Sequence, residues 1–365
     1  MSVHGLCRAL AARGHDVQVF TTSVDGPVDS PVPSTMPVDL DGVKVWYFPS
    51  RLLRRLYWSP PMARALARRI GEFDIAHLHA LFVWPVWAAA RAARRADVPY
   101  VVAPRGMLER ALIQKKNRVM KSVLIAAVGR RMLEAAAAIH VTSAREAAEA
   151  AAFGFALPPI HEVPNGVDLV PTPVASADLS PAVAALVQGP PVLLFIGRIS
   201  WKKGLDRLIA ALPQVPGIRL VVAGNDEEDY LPTLKSQAAA LGMSDRIVYC
   251  GPVGVAEKAA LLSYAMALVL PSYSENFGNV ILEAMAAGCP VVVTPEVGIA
   301  DIVRDSGAGW VIDGTPSSLG AGISALVADS QLRLTMGERG RTIAQRYAWA
   351  AVAERMERVY QEISA

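Results

Sequence analysis

Two glutamates, Glu275 and Glu283, lie eight residues apart in the segment PSYSENFGNVILEAMAAG. The apolar run before this segment predicts a buried strand, and its second half predicts a helix that begins near Asn279. Glu283 would then lie about one turn inside the helix, up to ~12 Å from Glu275 along the axis. That distance matches the span from a sugar through a diphosphate to a ribose, and carboxylates accept hydrogen bonds from vicinal hydroxyls. The two residues are a candidate clamp for a nucleotide sugar, although Glu283 taken alone resembles any glutamate on a helix surface.

The start of the same predicted helix is a candidate phosphate site. Helix N-termini present free N–H groups and the positive end of the dipole, here at Phe277, Gly278 and Asn279. Gly278 permits close approach of the backbone to a ligand. Open α/β sheets bind ligands at the carboxyl ends of their strands, which is where this segment begins.

An arginine and a lysine follow a second predicted strand, in the segment FIGRISWKKGLD. Arg198 comes after Gly197 at the strand end, and Lys203 precedes the next helix. Either residue alone would be solvated, but together they could neutralise a departing diphosphate without a metal. The D-x-D string at residues 39–41 precedes Gly42 and is interpreted as a hairpin turn. No histidine or cysteine cluster has metal-ligand spacing, and no P-loop motif occurs.

The elements that would position these residues alternate between strand-like and helix-like segments, which is typical of a parallel α/β architecture. Two doubly wound units in tandem are predicted, separated by a linker rich in proline, serine and alanine at residues 170–188. A chain of 365 residues also exceeds the roughly 250–300 residues at which single cores stop growing. A helical stretch from Thr342 to Ile363 ends the chain without a following strand.

The composition predicts a cytoplasmic protein. No apolar run approaches the ~20 residues of a membrane span, and no signal-peptide pattern opens the chain. The three widely spaced cysteines, Cys7, Cys250 and Cys289, fit a reducing compartment and are interpreted as buried small residues.

Charge is distributed unevenly between the two halves. Residues 1–175 contain 21 Lys/Arg against 14 Asp/Glu, or +7, whereas the remainder contains 15 against 19, or −4. The basic residues cluster near Arg51–Arg55, Arg64–Arg69, Arg91–Arg95 and Arg105–Lys121. Such clusters predict either contact with an anionic membrane or acceptor, or solvated helix faces. No nucleic-acid partner is predicted.

The combination of these motifs resembles family 4 of the retaining glycosyltransferases, which have the GT-B fold. The resemblance rests on the two glutamates, on Gly197-Arg198 with Lys203-Gly204, and on the string PNGVD at residues 164–168, and it covers the chain from its first helix to its C-terminus. It implies two doubly wound Rossmann-like domains that face each other across a cleft. Residues 1–171, with a returning helix at 343–365, would form the acceptor side, and residues 190–342 would bind the donor.

The resemblance also implies roles for individual residues. Arg198 and Lys203 would hold the donor diphosphate, Glu275 the sugar hydroxyls and Glu283 the ribose, so the catalytic set is Arg198, Lys203 and Glu275. The donor-binding set is Gly197, Asn276, Phe277, Gly278, Asn279, Val280 and Glu283.

The N-terminal half places His79 and Arg105 at strand ends that face the cleft in the family. His79 is a candidate contact for the acceptor or the sugar, or else a polar strand end. Many relatives have a histidine near the position of Arg105, and the arginine here fits an anionic group. Relatives also begin with a strand and a glycine-rich turn before the helix that starts here near Val3. We therefore expect either that the gene start has been placed too late or that the predicted N-terminal sheet lacks its first strand. Residues 142–146 predict a capped helix start, with a substrate contact of Ser143 or Glu146 as the alternative.

The predicted function is transfer of a hexose, with retention, from a nucleotide diphosphate sugar to an acceptor hydroxyl. No cofactor is predicted besides this co-substrate. A glycan or polyprenyl diphosphate-linked acceptor in cell-surface polysaccharide or glycolipid assembly would suit the basic first half. The alternatives are a nucleotide-sugar 2-epimerase or hydrolase on the same fold, and a non-catalytic donor-binding protein.

Overall fold

The structure, a computed structural model, describes residues 2–108, 129–169 and 179–364. The basic residues between Arg110 and Lys121 and the linker residues 170–178 lie outside these ranges. The chain forms two compact units. Unit 1 comprises Met1–Asn165 and Trp349–Ala365, and unit 2 comprises Gly166–Ala348.

Unit 2 is built on a six-stranded parallel sheet with helices between successive strands. Its strand order is β12-β11-β10-β13-β14-β15. The strands are β10 Val192–Ile196, β11 Arg219–Ala223, β12 Ile247–Gly251, β13 Ala267–Leu270, β14 Val291–Val293 and β15 Gly309–Val311. The helices are α6 Pro181–Val187, α7 Leu205–Ala211, α8 Leu231–Ala240, α9 Val255–Tyr264, α10 Asn279–Ala287, α11 Ala300–Ser306, α12 Pro316–Ala328 and α13 Ser330–Ala344.

The central strands of unit 2 are apolar along their whole length because helices cover both faces of a parallel sheet. Every residue of Val192–Ile196 and of Ala267–Leu270 is buried, and these strands form the middle of the unit's core. The predicted α/β architecture is confirmed.

Unit 1 contains two larger sheets and a short hairpin. One sheet has the order β1-β5-β4 and the other is parallel with the order β6-β7-β8-β9. The strands are β1 Gln18–Thr22, β2 Val24–Asp25, β3 Val28–Asp29, β4 Val38–Leu40, β5 Val43–Phe48, β6 Ala76–His79, β7 Tyr100–Ala103, β8 Ala138–Val141 and β9 Ile160–Glu162. The described helices are α1 Ser2–Ala12, α2 Pro60–Arg69, α3 Trp84–Arg95, α4 Arg130–Glu134, α5 Ala144–Ala151 and, after unit 2, α14 Trp349–Ser364.

The D-x-D string is a hairpin turn, as predicted. It joins the antiparallel strands β4 and β5, with positive φ at Asp41 and Gly42, and the Gly42 amide donates to the Asp39 carboxylate over 3.0 Å. The carboxylate thereby completes the turn.

The terminal helix α14 packs on α1 within unit 1. Leu6 and Leu10 of α1 share a buried cluster with Val352 and Met356 of α14. Helix α13 ends at Ala344, a short 3-10 segment, Gln345–Tyr347, follows it, and α14 begins at Trp349. The indole ring of Trp349 lies so close to Gly5 that a Cβ there would meet it at 2.2 Å.

Candidate functional site

The loop that carries Glu275 is clamped between two strand ends of unit 2. It follows β13, and its Glu275 amide donates to the Glu296 carbonyl over 3.2 Å, while the Gly298 amide donates to the Glu275 carbonyl over 2.8 Å. A Cβ on Gly298 would lie 1.9 Å from the Asn276 carbonyl oxygen, so this approach needs a glycine. The backbone therefore fixes Glu275 at the carboxyl edge of the sheet, beside β14.

Lys203 forms an ion pair with Glu275. The lysine ends a 3-10 turn, Trp201–Lys203, and both side chains are only 17% exposed. The turn after Lys203 needs a glycine at position 204, because φ there is +67° and a Cβ would lie 1.9 Å from the Pro271 carbonyl oxygen. The sequence predicted both residues at the site, and the structure adds that they touch.

Glu283 has a lysine partner of its own. It lies in the second turn of α10, and its carboxylate accepts from the Lys258 ammonium of α9 over 2.7 Å. The two side chains are 27% and 18% exposed. Sequence reasoning missed Lys258, because nothing in the local pattern of its helix distinguishes it from a solvated lysine.

Helix α10 begins at Asn279, as predicted, between Glu275 and Glu283 in the chain. Gly278 has φ +96° and precedes the first helical residue, and Phe277 is buried in the unit's core. The first amides of the helix face outward at this end, together with the positive end of the dipole. The other predicted residues of this set, Asn276 and Val280, flank the turn and are partly exposed.

Arg198 lies at a neighbouring part of the same sheet edge. Its guanidinium is 69% exposed and bonds to the Glu227 carboxylate over 3.1 Å. An open cavity of about 470 Å³ lies beside it, lined among others by Ile199, Gly224 and Tyr249. Gly197 and Gly224 pack backbone to backbone there, since a Cβ on Gly224 would lie 1.8 Å from the Gly197 carbonyl oxygen.

His79 and Arg105 come together in unit 1, as neighbours at the ends of β6 and β7. The Arg105 guanidinium donates to His79 Nδ1 from Nε over 3.3 Å, and its Nη2 lies 3.2 Å from the same atom. Its Nη1 donates to Asn165 Oδ1 over 2.8 Å. The neighbouring helix α5 starts at the predicted cap, where Ser143 Oγ accepts from the Glu146 amide.

A chain of hydrogen bonds links two more histidines beside His79. His140 Nε2 lies 2.8 Å from the Val163 carbonyl, so this nitrogen carries the proton and Nδ1 accepts from His77 Nε2 at 3.2 Å. His77 Nδ1 must then accept from the Tyr360 hydroxyl, 2.8 Å away. Burial, together with the nearby Arg105 charge, lowers the pKa of His77 and His79 well below the usual range and that of His140 to about 3. All three imidazoles are neutral at pH 7, and each tautomer in the chain is determined.

No group of three or more His, Cys, Asp or Glu side chains in residues 2–108, 129–169 and 179–364 is arranged to hold a metal ion. No helix in the same part of the chain is long and apolar enough to cross a membrane.

Comparison with known proteins decides the family. Residues 1–170 match the model of Glycosyltransferase Family 4, and residues 177–343 match the model of Glycosyl transferases group 1. The chain is 30% identical over 389 residues to the D-inositol 3-phosphate glycosyltransferase of Xylanimonas cellulosilytica, covering 98% of this chain and 89% of the relative. The chain belongs to glycosyltransferase family 4. This family 4 glycosyltransferase is also 28% identical to the phosphatidyl-myo-inositol mannosyltransferase of Mycobacterium leprae, over 98% of this chain and 91% of that one.

Solved structures agree on the fold. The sucrose-phosphate synthase of Thermosynechococcus elongatus superposes with a TM-score of 0.79 at 23% identity, covering 99% of this chain and 92% of that one. Anabaena HepE in complex with UDP and glucose superposes with a TM-score of 0.77 at 22% identity, covering 99% and 96%. This family 4 glycosyltransferase therefore has the predicted GT-B fold.

Proposed function

We propose that this family 4 glycosyltransferase transfers a hexose from a nucleotide diphosphate sugar to an acceptor hydroxyl with retention of configuration. The observation that carries the proposal is a pair of carboxylates near the α10 N-terminus. Glu275, before the helix, pairs with Lys203, and Glu283, in its second turn, pairs with Lys258. A diphosphate over this helix start would have the sugar near Glu275 and the ribose near Glu283. Anabaena HepE, which shares the fold, is described in complex with UDP-glucose, which supports this class of donor.

Stabilisation of the leaving group would carry the reaction. The bond between the sugar C1 and the diphosphate oxygen breaks, and its electron pair stays on that oxygen. Lys203, Arg198 and the α10 amides would offset the new charge, with no metal required in this proposal. The acceptor oxygen bonds to C1, and its proton passes to the departing phosphate, since no described side chain of unit 2 is an evident general base.

Lys203 would have to be shared between the phosphate and Glu275. Its ammonium contacts the Glu275 carboxylate, in a pair that is largely shielded from water. Such a pair keeps both side chains in place before the substrate binds. When the donor binds, the carboxylate can accept from sugar hydroxyls while the ammonium turns to the diphosphate.

A thermal-shift screen against UDP-, GDP- and ADP-sugars, followed by product analysis, tests this proposal. A donor that raises the melting temperature, and whose sugar appears on an added acceptor, is the expected result. An epimerised or hydrolysed sugar formed without acceptor would instead assign the chain to the epimerase or hydrolase class. Binding without any turnover would leave a donor-binding protein.

We further propose that the acceptor is a glycan or polyprenyl diphosphate-linked glycan in cell-surface polysaccharide or glycolipid assembly, and that unit 1 touches an anionic membrane from the cytoplasmic side. The support is a basic loop in unit 1 in which Leu52 and Leu53 are 66% and 64% exposed and are flanked by exposed Arg51 and Arg55. Arg54 is not available to lipid, because it donates to Asp29 and to the Val28 carbonyl. Exposed leucines between arginines suit the interface of an anionic bilayer.

Co-sedimentation with phosphatidylglycerol vesicles tests this surface. Replacing Leu52 and Leu53 by serine should reduce binding severalfold, since each leucine would otherwise bury apolar area in the interface. Leu334→Ser is the matched control, because this leucine of α13 is 62% exposed in unit 2. Equal binding by the double variant and the control would refute the assignment.

A further inference from the structure

Arg105 occupies a strained position that the surrounding turn maintains. It follows β7 with φ +55°, in the left-handed region that a non-glycine residue adopts at a cost of about 1 kcal/mol. Glu146 fixes the turn, because its carboxylate accepts from the Gly106 amide over 2.6 Å and from the Thr142 amide over 2.8 Å. Backbone strain of this kind is retained where a side chain must be aimed.

The described partners of the Arg105 guanidinium are all uncharged. A guanidinium has five N–H donors. Three of them are directed at His79 Nδ1 and Asn165 Oδ1. Two N–H donors have no acceptor among residues 2–108, 129–169 and 179–364. The carboxylate of Glu146, whose charge acts on Arg105, is bonded to the turn and to Thr142 and forms no ion pair with the guanidinium.

His79 stays neutral beside Arg105. Its ring stacks on His77 with the centroids 4.3 Å apart, and its Nδ1 accepts from the arginine. A second positive charge at this place would be repelled, which keeps the imidazole neutral. Arg105 is thus a partly buried cation with two spare donors, and leaving a charge in such a place without a partner is unfavourable.

We propose that Arg105, positioned by His79 and Asn165, binds a phosphate group of the acceptor. The proposal rests on the transfer reaction above, and it names the acceptor class as phosphorylated. The terminal edge of a guanidinium presents two parallel donors that match two phosphate oxygens. His79 and Asn165 are positioning residues, since they hold the planar group from its other side.

Titration calorimetry with inorganic phosphate on the full chain tests the proposal, with sodium chloride at matched ionic strength as the blank. Arg105→Gln should weaken phosphate binding about tenfold or more, as expected for a lost bidentate charged contact. Asn165→Asp keeps the shape of the side chain and places a carboxylate against the guanidinium, so it should weaken phosphate binding by internal neutralisation. Arg130→Gln is the control, because it removes the same charge from an exposed ion pair of the same unit.

The donor diphosphate site is the other place where phosphate can bind, and two variants distinguish it from the Arg105 site. Lys203→Gln should leave the phosphate affinity of the Arg105 site unchanged, and Arg105→Gln should leave the affinity for UDP unchanged. Phosphate binding that survives in both Arg105→Gln and Asn165→Asp, or that disappears only in Lys203→Gln, would overturn the proposal. Failure of UDP to bind the wild-type chain would count against the donor assignment instead.

Discussion

The neutral histidines of unit 1 make a defined prediction about acid stability. His140 is buried, and its pKa is lowered from 6.5 to about 3 in the folded protein. The unfolded chain therefore binds a proton at this residue below pH 6.5, whereas the folded chain does not. The stabilisation is complete above about pH 6.5 and is lost progressively as the pH falls toward 3.

The magnitude follows from this shift. Between pH 7.5 and pH 5.0 the loss is about 2 kcal/mol for His140 alone, since the free energy changes by ~1.4 kcal/mol per pH unit below the unfolded pKa. His77 and His79 act in the same direction. All six histidines precede residue 162, so this source of acid sensitivity belongs to unit 1.

Urea denaturation at pH 7.5 and 5.0, followed by circular dichroism, measures this effect. His140→Gln removes the titrating group. From pH 7.5 to pH 5.0, the free energy of unfolding of this variant should therefore fall by about 2 kcal/mol less than that of the wild type. His4→Gln is the control, because His4 is exposed and contacts Asp41 rather than the buried network. An unchanged pH dependence in His140→Gln would refute the deduced tautomers and the neutral state of the chain.

Three further predictions concern close packing and the donor site. Gly204→Ala should lower the free energy of unfolding by about 2–4 kcal/mol in urea denaturation, because the new Cβ clashes with the backbone and the φ is unfavourable. Gly217→Ala is the control, since Gly217 has φ +71° but open space around it, and so reports the effect of φ alone. Equal losses in the two variants would contradict the clash. Gly5→Ala should destabilise unit 1 by about 1–3 kcal/mol through the Trp349 ring, whereas Gly71→Ala, which meets nothing within 4 Å, should be close to neutral. Glu283→Gln should weaken UDP binding in calorimetry by about tenfold, because a charged acceptor for ribose hydroxyls is lost. Glu338→Gln is the control, since Glu338 is an exposed glutamate of α13. Equal UDP affinities of the two variants would argue against the clamp.

The strongly apolar strands of unit 2 were predictable because a strand covered on both faces is an uninterrupted apolar run, as in Val192–Ile196. The short strands Val38–Leu40 and Ile160–Glu162 were missed, since three residues beside prolines and turns leave no periodic signal. The start of α10 was predictable from Gly278 and the change in periodicity that follows it.

The candidate site was predictable in its residue types but not in its pairings. Glu275 and Glu283 are visible in one local string, whereas their partners Lys203 and Lys258 lie 72 and 25 residues away. The sequence grouped Arg198 with Lys203, yet Arg198 pairs with Glu227 and is far more exposed. The histidine chain of unit 1 joins strands β6 and β8, the residue after β9 and the terminal helix, so only the folded chain reveals it.

Turnover of Glu275→Ala and Lys203→Gln with the donor found by the thermal-shift screen tests the central claim most directly. The rate of nucleoside diphosphate release in the presence of acceptor should fall by at least about a hundredfold in either variant, since each removes a charged group from the reacting end of the donor. Glu338→Ala, on the exposed face of α13, should retain the wild-type rate. Near-normal turnover in Glu275→Ala and Lys203→Gln would contradict the placement of the sugar and its leaving group beside this ion pair.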